Sequence, residues 1–381
     1  MLLRVERRMV PHVPWTLVAV TLAIAVLGIW NLASASRPPH TPLWTRQTVN
    51  LAVGLVAAMG VCFLDTRFLQ RMAYPFYGTC LGLLLLLRVV GHRAKGEASW
   101  LALGPLRMEP AEFMKVALLL ALARSFHDHP RRPEEPHGLA ELWRPVLLAL
   151  GAAALVLPDL GNTMMILLTA GTVLLFAKLK RGLLVAGVVV LVSLSAVVWN
   201  DYVRDPSDGH RTVIRNVLKR HQSARIAGWL SPDSDLRGSG YHAAQSKIAV
   251  GSGGFLGKGW RQGTQTGLFF LPEQHTDFIF SVWAEEHGFL ACLLLLVLYG
   301  LMFTTALGVS FQARDRFGAF VCVGVAAMLF WQVFENIGMV VGLLPVTGIT
   351  LPLMSYGGSS MVSVLLSLGL VANVAMRRHL F

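Results

Sequence analysis

An acid stands at the head of a long apolar run. Segment 271–278 reads Leu-Pro-Glu-Gln-His-Thr-Asp-Phe, and the largely apolar stretch 278–307 begins directly after Asp277. A carboxylate in that position can take a proton from a hydroxyl at a membrane boundary. Glu285 and Glu286 fall about two turns into the same stretch, where ionisable residues are costly and mark function by default. Further upstream, Arg107-Met-Glu-Pro-Ala-Glu-Phe-Met-Lys115 puts Pro110 where a helix would start. Glu112 and Lys115 then share one helical face, either as a pair that neutralises itself or as a lysine oriented by its partner toward a phosphate. Pro158-Asp-Leu-Gly-Asn162 is turn chemistry, and Asp159 can cap the helix that follows, which is the favoured reading. Near the end, the Pro- and Gly-broken segment 344–360 carries Ser355 and Ser359. Irregular backbone at membrane depth needs protein or a water-filled cavity around it, so this segment either breaks a helix or walls a cavity. Two familiar sites are excluded. Gly-Ser-Gly-Gly-Phe-Leu-Gly-Lys-Gly at 251–259 lacks the first Gly and the final Ser/Thr of a P-loop, and His275 and His287 do not have zinc-protease spacing.

The elements that must position these residues follow from composition. Of 381 residues, 54% are hydrophobic and only 14% are charged. A typical soluble domain carries about 25% charged residues, so the solvent for much of this chain is lipid. Ten apolar stretches are candidate spans: 14–34, 44–64, 72–90, 108–126, 142–157, 162–177, 183–199, 278–307, 318–343 and 351–376. The first is too long for a signal peptide and reads as an uncleaved helix. Basic residues collect in alternate connections (Arg4/Arg7/Arg8, Arg67/Arg71, Arg124/Arg131/Arg132, Lys178/Lys180/Arg181, Arg314/Arg316 and Arg377/Arg378), which puts both termini on the cytoplasmic side. The net charge of +12 therefore reads mainly as membrane anchoring, not as nucleic-acid binding. The expected fold is an all-α polytopic membrane protein with ten transmembrane helices and one long extracytoplasmic loop, about 200–276, between spans seven and eight. That loop holds ten bases against six acids, and the third-to-fourth connection adds Arg93, Lys95 and Arg107, a surface suited to an anionic ligand. Cys62, Cys80, Cys292 and Cys322 sit in apolar stretches and read as structural thiols. No internal repeat is visible.

At these motifs the sequence resembles the SEDS family (shape, elongation, division and sporulation), its RodA branch more than its FtsW branch. The resemblance covers essentially the whole chain from the first span onward, as a single integral membrane domain. It rests on the glycine-rich 251–259 segment, Gly263-Thr-Gln265, the 271–278 segment, Glu285-Glu286-x-Gly288, and Pro345-Val-Thr-Gly348 with Ser355-Tyr-Gly-Gly-Ser359. One departure is Ser99 before Trp100, where the family commonly has Arg; Lys95 or Arg107 would substitute. The resemblance implies a ten-helix peptidoglycan glycosyltransferase of the bacterial inner membrane, its active site facing the extracytoplasmic side. It would polymerise lipid II during elongation beside a class B penicillin-binding protein. It also implies that Asp277 is essential, as the base on the acceptor hydroxyl. Lys115, Glu112, Trp100, Arg107, Asp159, Gln265, Glu273, His275, Glu285, Ser355 and Ser359 are the candidate substrate-binding residues. No protein metal ligands are expected, and a divalent cation (Mg or Mn) is compatible with the pyrophosphate. Two other classes fit many spans and buried charges: a lipid II flippase and a membrane scaffold for cell-wall enzymes. The ionisable residues gather near one side, which favours the enzyme.

Overall fold

Long helices coincide with the ten apolar stretches. The computed structural model describes residues 12–36, 42–90, 92–94, 97–103, 106–129, 137–157, 159–199, 220–230, 239–268, 270–271 and 273–378. Its first long helices are α1 (Trp15–Ala35), α2 (Leu43–Phe63), α3 (Thr66–Val90), α4 (Pro110–Asp128), α5 (Leu139–Val156), α6 (Leu160–Phe176) and α7 (Arg181–Trp199). After an irregular region come α11 (Ile279–Phe311), α12 (Arg316–Val340) and α13 (Gly358–Arg377). Six of these, α1, α2, α3, α11, α12 and α13, are long and apolar enough to cross a membrane. Local chemistry sets several boundaries. Pro110 opens α4, where its missing N–H costs nothing. Asp159 caps α6 by accepting from Asn162 N at 3.1 Å, and Asp315 caps α12 by accepting from Gly318 N at 2.8 Å.

The all-α class holds, with two details added. A small antiparallel sheet lies between α3 and α4, formed in order by β1 (His92–Ala94), β2 (Glu97–Leu103) and β3 (Leu106–Met108). On its central strand Leu101 is buried and Trp100 is half-buried. The described residues of the 200–276 segment contain no candidate membrane span, but they are not irregular throughout. They include α8 (Arg220–Leu230), α9 (Ser239–Ser252) and the single turn α10 (Thr264–Gly267). Helix α9 is fastened to the membrane helices, because Ser246 Oγ donates to Val340 O at 2.8 Å and lies 2.9 Å from Ser281 Oγ.

The long helices pack around one hydrophobic core, with α4, α12 and α13 its most buried members. Gly324 lets α4 approach α12: a Cβ there would stand 2.2 Å from Leu119 Cδ2. Below it, Phe126 of α4 stacks on Phe320 of α12 at 4.7 Å. Helix α2 is peripheral, and its exposed Val49, Val53 and Val56 form a face suited to lipid. All four cysteines are free.

Helix α11 is broken at Gly288, whose φ of 73° and ψ of −171° are not helical. The glycine-rich loop after α9 fills the break. Lys258 N and Gly259 N donate to Glu285 O and Glu286 O, while Phe289 N and Leu290 N donate to Gly254 O and Phe255 O. Backbone groups freed by the break are thereby paired. The approach requires glycine, since a Cβ on Gly257 (φ +82°) would lie 2.2 Å from Glu286 O. This segment is a close-packed wedge.

Candidate functional site

Asp277 lies in the turn 273–278 that leads into α11, and three elements hold that turn by its backbone. Asn336 of α12 donates through Nδ2 to Asp277 O at 2.8 Å and to Ile349 O at 2.7 Å. Ser355 Oγ donates to Thr276 O at 2.6 Å and accepts from Leu351 N at 2.8 Å, and Tyr356 N donates to His275 O at 2.9 Å. From α1, Asn31 Nδ2 donates to Ile279 O at 3.0 Å. The broken segment between α12 and α13 is thus laced onto the turn, and Ser355 is one of its fasteners. The Asp277 side chain remains half-buried.

Glycine 348 lies beside that carboxylate. Its φ is +83°, and a Cβ there would stand 3.4 Å from Asp277 Oδ2 and 4.0 Å from Arg225 Nη1. Arg225 of α8 is held in place by donating to Thr347 O at 2.9 Å. A carboxylate and a guanidinium therefore flank one glycine, with no side chain between them. Glu273 and His275 share the turn: His275 Nε2 lies 4.0 Å from Glu273 Oε2, and Thr276 Oγ1 donates to Glu273 Oε2 at 3.3 Å.

A second polar cluster lies behind the 347–349 segment. Lys115 Nζ donates to Glu112 Oε1 at 2.8 Å, and Ser363 of α13 donates to Glu112 Oε2 at 2.8 Å. Asn162 Nδ2 donates to Asp159 Oδ2 at 2.9 Å and to Glu109 Oε1 at 3.1 Å, while Glu109 N donates to Ser359 Oγ at 3.0 Å. The starts of α4, α6 and α13 meet here. Asp159 is a cap, as its turn chemistry indicates, and also a member of this cluster. Gly161 joins the two clusters, because a Cβ there would be 3.1 Å from Thr347 O.

Not every expected residue comes together. Glu285 is fully buried, and its carboxylate accepts from Lys258 Nζ (2.7 Å), Gln265 N (2.9 Å), Thr266 Oγ1 (3.0 Å), Thr264 Oγ1 (3.1 Å) and Thr266 N (3.2 Å). Five donors from one loop make Glu285 a clasp for residues 258–266, and Gln265 belongs to that clasp. The protein occupies the Glu285 carboxylate, whereas Gln265 takes part through its backbone N–H. Glu286 likewise accepts from Ser34 Oγ at 2.6 Å. Trp100 pairs with His92 across β1 and β2, and Arg107 sits on β3 opposite Ala102. Lys95 lies outside the described residues. Among the described residues no group of three or more His, Cys, Asp or Glu is arranged to hold a metal ion.

Three polar residues of this region were not singled out from the sequence. Arg225 was one base among ten in a polar segment. Asn336 and Glu335 lie inside the stretch 318–343, which reads as a lipid-embedded span. The available signal was the run Gln332-Val-Phe-Glu335-Asn336, three polar side chains deep in an apolar helix.

The chain matches known proteins along nearly its whole length. A family model described as cell cycle protein, covering FtsW, RodA and SpoVE, matches residues 11–380. The peptidoglycan glycosyltransferase MrdB of Escherichia coli (strain K12) is 35% identical over 372 residues, spanning 97% of this chain and 95% of that protein. Stage V sporulation protein E of Bacillus subtilis (strain 168) is 32% identical over 380 residues, with shares of 94% and 96%. A solved chain from a peptidoglycan synthase complex that coordinates polymerization and crosslinking has a TM-score of 0.78 and 36% identity, over 96% of this chain and 98% of that one. The rod shape determining protein RodA of Thermus thermophilus has a TM-score of 0.68 and 33% identity over the same shares.

Proposed function

Because the chain belongs to the SEDS family of FtsW/RodA/SpoVE cell cycle proteins and is a peptidoglycan glycosyltransferase of cell elongation, we propose that it polymerises lipid II with Asp277 as general base. The observation that carries this reading is the presentation of Asp277. Its backbone is held from α1, α12 and the broken segment, while its carboxylate stays half-buried across Gly348 from Arg225. A fixed carboxylate beside a fixed cation suits a reaction that removes a proton at one point and builds negative charge at another.

In the proposed step, Asp277 takes the proton of the acceptor hydroxyl as that oxygen bonds to the anomeric carbon of the donor sugar. The bond from that carbon to the pyrophosphate oxygen breaks, and its electron pair leaves with undecaprenyl pyrophosphate. Arg225 and Lys115 stabilise the departing charge, and Glu112 orients Lys115. Glu273 and His275 line the acceptor side of the turn; Asp159, Ser355 and Ser359 keep the surrounding elements in register. Trp100 and Arg107 belong, in this reading, to a sheet over the donor. A Mg or Mn ion would enter with the pyrophosphate and not through a protein cage.

The membrane setting extends the same reading. Ten crossings with both termini inside are supported by the alternate basic connections, and they put Asp277 on the extracytoplasmic side of the inner membrane. A class B penicillin-binding protein is the proposed partner, supported by the similar chain in a complex of polymerization and crosslinking. The test is purified protein, alone and with that partner, given labelled lipid II. Long glycan products are expected, and Asp277→Asn should abolish them in a folded, membrane-inserted protein. Retained polymerisation in that variant would sink the base assignment. Lipid scrambling in vesicles without polymer would instead indicate a flippase.

A further inference from the structure

Four carboxylates and one ammonium meet where α4, α6 and α12 pack together: Glu109, Glu112, Asp159, Glu335 and Lys115. Three of the carboxylates have hydrogen-bond donors, namely Asn162 for Glu109 and Asp159, and Lys115 with Ser363 for Glu112. Glu335 is 1% exposed, and among the described residues no nitrogen donor bonds its carboxylate; the hydroxyl of Thr347 is the side-chain donor beside it. Gln332, three residues earlier on the same face of α12, is fully buried with neither amide atom bonded. On α6, Asn162 Oδ1 and Thr169 Oγ1 share that condition.

The charges around Glu335 can be traced element by element. Helix α4 contributes Glu112 and Lys115, the residue before it is Glu109, and the cap of α6 is Asp159; Lys115 and Asp159 act on Glu335 directly. Helix α13 contributes the hydroxyl of Ser363, and Arg225 of α8 reaches the carbonyl of Thr347. On α11, Glu285 is held by the 258–266 loop and Glu286 by Ser34. On α9, Lys247 packs against Gly342, which lies just past the same end of α12, seven residues beyond Glu335. Among the described residues, Lys115, already 2.8 Å from Glu112, is the cation ion-paired within this nest of carboxylates. An anionic pyrophosphate cannot approach Lys115 past an ionised Glu335 without strong repulsion, because interior charges are weakly screened.

We propose that Glu335 is a proton-carrying positioning residue, which must hold a proton for a pyrophosphate lipid to dock against Lys115. This rests on the reading above that the pyrophosphate meets Lys115. The balance is one proton: Glu335 carboxylate plus H+ from solvent becomes the carboxylic acid as the lipid binds, and the proton is returned when the lipid leaves. The linkage sign follows. The complex binds more protons than the free protein, so affinity falls as pH rises through the titration of free Glu335, tenfold per pH unit at the limit. The neutral acid can also donate to the free oxygens of Gln332 or Asn162, which an ionised carboxylate cannot do.

The experiment measures binding of undecaprenyl pyrophosphate to the full chain in nanodiscs between pH 5 and pH 9, with proton uptake followed in weak buffer. Wild type should lose affinity with rising pH and take up close to one proton per lipid bound on the alkaline side. Glu335→Gln should bind with affinity flat over the range in which wild type declines, and without that uptake. Glu335→Leu, which also carries no charge, should be flat too and serves if the amide variant does not fold. A wild-type slope that persists unchanged in either variant overturns the proposal and leaves the polymerase reading standing. Wild type that fails to bind the lipid at every pH overturns the placement of pyrophosphate at Lys115, and the proposal with it.

Discussion

Removing Glu285 should release the glycine-rich wedge without touching the turn 273–278 that carries Asp277. Its carboxylate accepts five hydrogen bonds from residues 258–266 and is fully buried, whereas the Lys258 side chain keeps 24% of its exposure. A hydrogen bond to a charged group contributes about 1.5–3 kcal/mol, but five such values do not add, because the released donors can turn to water. Breaking a buried ion pair from one side costs about 3–5 kcal/mol, which is the better figure for Glu285→Ala. At about 1.4 kcal/mol per decade, opening of the loop becomes roughly 100- to 3,000-fold more frequent. Lys258→Met removes one donor of five and leaves four, so about 1.5–3 kcal/mol and roughly 10- to 100-fold is expected. Limited trypsin digestion in nanodiscs reads this directly, because Arg261 lies in the loop and cleavage tracks the opening equilibrium when reclosing is fast. Cleavage of Glu285→Ala at the wild-type rate, with KM for lipid II raised instead, would refute the clasp and restore a substrate-binding role.

Other outcomes follow from single contacts. Asn336→Leu deletes the bonds to Asp277 O and Ile349 O; polymerisation should fall at least about tenfold while the protein still inserts, with thermal stability lowered by about 2–4 kcal/mol, read by glycan gels and melting in detergent. Gly348→Ala adds strain of about 1–3 kcal/mol at φ +83° and narrows the gap between Asp277 and Arg225, so kcat should drop more than expression does. Gly28→Ala would put a Cβ 2.4 Å from Leu353 O, forcing α1 off the broken segment; a loss of at least about 1–3 kcal/mol in melting is expected, and an unchanged Tm would show that α1 does not pack there.

Much of the fold was legible because single segments carry it. Ten apolar stretches became ten long helices, and Pro110, Asp159 and Asp315 mark helix starts by chemistry local to each residue. The small sheet and the helices within 200–276 were less legible. Strands of three residues carry little periodicity, and α8 and α9 are stabilised by contacts with distant helices, such as Ser246 with Val340.

The candidate site divides along the same line. By sequence alone, Asp277 and Glu285 are two acids eight residues apart at the mouth of one apolar run, and nothing local ranks them. Tertiary structure separates them: five donors from a loop some twenty residues upstream occupy Glu285, while Asn336 takes the carbonyl of Asp277 and the half-buried carboxylate lies across Gly348 from Arg225. Glu335 shows the converse, an acid concealed in an apolar stretch until its burial beside Lys115 and Asp159 is seen. Composition and spacing determine which solvent each segment enters, since transfer free energy is a property of the segment itself. Which buried polar group is paired and which remains available depends on partners more than 300 positions away in the chain, as Gln47 and Gly357, 310 apart, illustrate, and only the assembled fold decides that.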